Sequence, residues 1–77
     1  MLQLSPKWGE FFRSQPETGM GYVIVTAVLK DGRRIERAAV VGLTIVSIEG
    51  EPTIPFTENE IAEFIVTHDK RKLRGSV

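Results

Sequence analysis

Three apolar runs, each too short and too rich in β-branched residues for a buried helix, lie between Gly21 and Gly50: Tyr22 to Leu29, Arg33 to Val41, and Leu43 to Ile48. Val, Ile, Thr and Tyr suit a pleated, half-buried surface, and Lys30-Asp31-Gly32 between the first two runs is a strong hairpin signal. A two-residue Asp31-Gly32 loop would set Lys30 opposite Arg33 and place Val25 and Ala27 beside Arg34 and Glu36. A three-residue loop, with Gly32 left-handed as a bulge, instead sets Leu29 opposite Arg33 and Thr26 opposite Glu36. The second register is preferred, because burying an unpartnered charge costs more than a turn preference supplies. It gathers Val23, Val25, Ala27, Leu29, Ile35, Ala39 and Val41 on one face. Arg37 fits it badly, and its aliphatic stem is expected to cross the edge of the core so that the guanidinium reaches water. At Gly42 the chain either turns tightly into a third strand or bends within one long strand, and the turn is preferred.

The opposite face would carry Tyr22, Ile24, Val28, Ala38 and Val40, too apolar for free solvation, so something covers part of it. The N-terminal segment, the C-terminal segment and a second copy of the chain are the candidates. Ser5-Pro6 followed by Lys7-Trp8-Gly9-Glu10-Phe11-Phe12 predicts a short helix over 5–13, with Ser5 as N-cap and Pro6 where its missing N–H does no harm. Trp8, Phe11 and Phe12 fall on one side of it, as an aromatic lid on the sheet or, alternatively, an exposed platform for a partner or a base. Residues 14–19, containing Pro16 and Gly19, form a loop.

Beyond Ile48, Glu49-Gly50-Glu51-Pro52 ends the third strand, and Thr53-Ile54-Pro55-Phe56 is a short extended piece suited only to an edge. Thr57-Glu58-Asn59-Glu60 is a capping box, with Phe56 and Ile61 placed for a hydrophobic staple. It predicts a helix of one and a half turns over 58–63, followed by a last strand over 64–68, where consecutive Ile-Val-Thr disfavours continuing the helix. A short helical turn before the last strand, together with short strands and tight connections, resembles in layout the small barrels of the Src-homology-3 type, which close the edges a flat sheet leaves open. The expected fold is therefore mainly β, a small α+β domain. It would be a five-stranded antiparallel SH3-like barrel with one short helix before the last strand. One domain would span 1–77, with an N-terminal segment over 1–19, a β core over 20–69 and a basic, flexible tail over 70–77.

Composition narrows the function classes. The 77 residues include no cysteine, which removes disulfides, thiol catalysis and thiolate metal sites and fits a reducing cytosol. The first residues lack the basic start and apolar run of a secretory signal, and Ala38 to Val46 is too short to span a bilayer, so a soluble cytoplasmic protein is expected. Formal net charge is zero, which argues against a dedicated nucleic-acid binder, but the charges are blocked along the chain. Lys30, Arg33, Arg34 and Arg37 surround the hairpin, five glutamates follow from Glu49 to Glu63, and Lys70, Arg71, Lys72 and Arg74 close the sequence.

No reaction centre is legible. His68 is the single histidine, and the serines at 5, 14, 47 and 76 give no nucleophile with a base and an orienting group. The glutamates lack the repeat of a cation loop, and the glycines match no phosphate-cradling pattern. No enzyme activity, cofactor or metal is expected. The leading expectation is a non-enzymatic interaction module that binds a protein or its own copy as a homodimer. The alternative is weak RNA or single-stranded DNA binding through the basic tail beside Trp8 or Tyr22. The candidate binding residues are Trp8, Tyr22, Arg33, Arg34, Arg37, Lys70, Arg71, Lys72 and Arg74.

Overall fold

The computed structural model describes residues 1–68. Five strands, β1 (Leu2–Gln3), β2 (Val23–Leu29), β3 (Arg34–Val41), β4 (Thr44–Ile48) and β5 (Ile61–Val66), form one antiparallel sheet in the order β1-β4-β3-β2-β5. A 3-10 turn over Pro6–Trp8 leads into α1 (Gly9–Arg13), and a second 3-10 turn over Glu58–Glu60 precedes β5. The sheet curls into a half-barrel consistent with the Src-homology-3 layout. Three register shifts accompany the curl, leaving Arg37, Val46 and Ala62 as extra residues in β3, β4 and β5, and each bulge sharpens the local twist.

The β2–β3 hairpin has the three-residue loop. The Leu29 amide donates to the Arg33 carbonyl at 2.8 Å, the Gly32 amide donates to the Leu29 carbonyl at 2.9 Å, and Gly32 has φ 96°. Asp31 caps the turn by accepting from the Arg33 amide at 3.0 Å. The register then departs from the expected one. Ala27 faces Ile35, but Val25 faces Ala38, so Thr26 spans both Glu36 and Arg37. Arg37 takes φ 56° and drops out of the alternation, which keeps its charge out of the core without threading the stem across it. Downstream the faces exchange. Ala38 and Val40 join Val23, Val25, Ala27 and Leu29 in the core cluster, with half-buried Ile35 packed against it, whereas Ala39 and Val41, expected there, lie on the other face.

The N-terminal residues act as a strap across the open side of the half-barrel. β1 pairs with β4, Leu2 facing Ile45, and the Leu4 amide donates to the Leu43 carbonyl at 2.7 Å. At the other margin Trp8 and Phe12 meet Phe64 of β5 edge-on, with ring centroids 4.8 and 5.1 Å apart. The aromatic lid is thus the arrangement adopted, and Trp8 is not an exposed platform. Ser5 does not cap the turn with its side chain. Its amide and hydroxyl both donate to Glu58, at 2.8 and 2.6 Å.

Two expectations near the C-terminal side are corrected. Thr53 to Phe56 is not a strand, since Pro52 and Pro55 lack ladder donors, and it serves instead to bury Phe56 and half-bury Ile54. The fifth strand is β1. The capping box at Thr57 and Glu60 forms, with the Glu60 carboxylate accepting from the Thr57 amide at 2.8 Å, but it starts only one 3-10 turn over 58–60 rather than a helix over 58–63. Ile61 is already in β5, paired with Leu29, because it and Phe64 find the core at strand spacing with Ala62 bulged between. β5 therefore ends at Val66, and His68 lies beyond it at φ 54°.

Candidate functional site

The basic residues around the hairpin do not assemble into a free cationic surface. Arg33 Nε sits 2.9 Å from Asp31 and its Nη2 3.9 Å from Glu60. The Arg33 amide, and then its guanidinium, hold the Asp31 carboxyl below its ordinary range. Arg34, exposed, lies opposite Val28 on the face away from the core. Arg37 pairs with Glu36 at 3.4 Å, and its carbonyl accepts from the Glu49 amide at 3.2 Å. A depression of about 230 Å³ joins Arg34 and Arg37 to Glu36, Glu49 and Glu51, a mixture of both signs rather than an anion site. Lys70, Arg71, Lys72 and Arg74 lie outside the described residues.

His68 is drawn into a structural network. Its Nδ1 is 2.5 Å from Thr18 Oγ1, which also accepts from the Ile24 amide at 2.8 Å, while the His68 amide donates to the Ile24 carbonyl at 3.1 Å. These bonds tie the loop before β2 to the chain leaving β5. Among the described residues no three His, Asp or Glu side chains converge as cation ligands.

Tyr22 leads to the most developed surface. Its carbonyl accepts from the Thr18 and Gly19 amides at 2.9 and 3.3 Å, and its amide donates to the Gly19 carbonyl at 3.3 Å. This small loop lays the ring over Gly19, where any Cβ would collide with it. Beside the ring an open groove of about 440 Å³ runs between α1 and the β3–β4 turn. Phe12, Tyr22, Val23, Val40 and Leu43 contribute to its lining, and Arg13 and Glu17 contribute charge. Among the described residues Met20, 98% exposed, is the large apolar side chain next in sequence to this groove, preceding the lining residues Gly21 and Tyr22. Val41, 45% exposed, lies on the opposite face of β3 from the lining residue Val40.

Of the candidate binding residues among the described residues, the structure brings only Tyr22 to this surface. Arg13, Glu17 and Met20 were not foreseen. One signal in the sequence could have found Met20: a large apolar residue between two glycines, in a polar loop with no periodicity to bury it. No family model, curated protein or solved structure matches the chain. No helix among the described residues is long and apolar enough to cross a membrane.

Proposed function

We propose that the chain is a small non-enzymatic interaction module, working in the cytoplasm, that binds protein through the groove between α1 and the β3–β4 turn. The observation that supports this reading most is the open depression lined by Tyr22 and Leu43, next in the chain to the 98% exposed Met20. Apolar side chains scattered singly over a surface need no explanation, but a contiguous patch with a polar rim has the make-up of a protein contact. The shape agrees, since the groove is open and shallow, suited to side chains of a partner rather than to enclosing a small substrate. The absence of cysteine supports the proposed compartment.

Site-specific photo-crosslinking tests the reading. A photoreactive residue replacing Tyr22 or Arg13, both in the lining of the groove, is expected to yield a discrete adduct in cells, whereas the same group at Glu36, on the hairpin away from the groove, is expected to yield none. Equal labelling at all three positions, or no adduct at any of them, would overturn it.

A further inference from the structure

We infer that the occupant of this groove is a second copy of the chain, related by a two-fold axis that seats Met20 of each copy in the groove of the other and sets Arg13 of each against Glu17 of the other. The inference rests on the groove being a protein-binding surface, as proposed above, and it names the partner.

A two-fold interface joins a surface to itself, so it needs projection and recess side by side on one face. That juxtaposition is present here. Met20 is 98% exposed on a loop tip flanked by Gly19 and Gly21, and the recess begins at the next two residues, Gly21 and Tyr22. Methionine is unbranched and polarisable, well suited to fill an irregular apolar recess. The loop presenting it is held in shape by the Thr18, Gly19 and Tyr22 backbone bonds and by a 3.3 Å bond from the Gly21 amide to the Glu17 carboxylate.

The charges obey the same symmetry. The groove is bordered by one cation, Arg13, and one anion, Glu17. A two-fold axis passing between them would set each beside its opposite in the other copy, which a partner of uniform charge would not satisfy. Arg13 is exposed and has no hydrogen-bond or ion-pair partner among the described residues, so pairing it breaks nothing inside the monomer. The association is expected to be weak, with a Kd on the order of 10–500 µM.

Sedimentation equilibrium on the full chain, from about 10 µM to about 1 mM, reads the outcome over the range that this affinity sets. The mass is expected to climb with concentration from 8.6 kDa toward twice that value. Met20→Asp is expected to weaken association about tenfold or more, with circular dichroism and thermal midpoint unchanged because the side chain contacts nothing in the monomer. Arg13→Glu is expected to weaken it several-fold, since each cross-pair then holds two anions, and Arg13→Lys, which keeps the charge, is expected to retain it. Glu17→Gln, which keeps an oxygen for the Gly21 amide, separates loss of charge from loss of the loop bond and is expected to weaken association as well. A constant monomer mass up to the highest concentration, unchanged association in Met20→Asp, or unchanged association in Arg13→Glu overturns the inference. A monomeric chain whose Tyr22 and Arg13 positions still crosslink to a different protein removes the two-fold pairing and leaves the interaction reading intact. Monomeric behaviour without any crosslink removes both.

Discussion

Arg37 shows how one residue can decide which face its neighbours occupy. Its positive φ is a conformation that β-branched side chains resist, so the usual strand preference is inverted at this position. Arg37→Val is expected to destabilise by about 1–2 kcal/mol, and Arg37→Gly to be neutral or slightly stabilising, as the relieved strain of about 1 kcal/mol offsets an exposed ion pair. Urea unfolding of the two variants checks the order; a more stable Val variant would mean that position 37 lies in ordinary strand. Ile45, fully buried where β1, β3 and β4 meet, reports on the core itself. Ile45→Ala is expected to cost about 2–4 kcal/mol by the same measurement, a large share of what so small a domain has. The sequence exposed the problem at Arg37, a charge at an apolar position, without its solution. Glu-Arg-Ala-Ala contains no glycine or asparagine to announce a left-handed residue, and the bulge is settled by where Ala38 and Val40 can pack. The hairpin loop was legible because Asp31-Gly32 carries its own conformational requirement.

Among the elements, the turn over Glu58–Glu60 has a task that its capping pattern did not reveal. The Glu58 carboxylate is held below its ordinary range first by the Ser5 hydroxyl and then by the Ser5 amide, with Lys7 adding attraction. A lowered pKa in the folded state means that Glu58 contributes its stabilisation fully above its ordinary value of 4.5 and loses it as pH falls through the depressed value. Acid is therefore expected to loosen the strap. Trp8, the single tryptophan, reports this directly through its contact with Phe64. Its fluorescence should change below pH 4.5 in the native protein, whereas Glu58→Gln should show the loosened signal at neutral pH and lose that acid-dependent step. An identical acid titration in both proteins would show that Glu58 does not hold the strap. The capping pattern makes Glu58 only the first residue of a helix, because such a pattern joins neighbours along the chain. The partner, Ser5, lies 53 positions away, and no local pattern encodes that distance.

At the scale of the molecule, the number of strands and the curled sheet were readable because β-branched runs and turn residues recur at strand length, and only a closed or half-closed sheet hides them in so short a chain. Which segment supplies the fifth strand was not. Leu2-Gln3 is too short to signal a strand, and its pairing is created by β4 rather than by any propensity of its own. Deleting residues 1–13 removes the cover from the margins at both β4 and β5 together with Leu4 and Phe12 of the core. The shortened chain is expected to aggregate or remain unfolded, as light scattering and circular dichroism would show; a soluble shortened domain with a native-like spectrum would mean that the strap is dispensable. The strap also orders events during synthesis. The segment that leaves the ribosome first must wait for partners translated much later, Leu43 and Ile45 at one side and Glu58 and Phe64 at the other. Nascent chains stalled before Phe64 would carry their opening aromatic residues without a place to rest, so this domain completes itself only after nearly all of its described residues have been made.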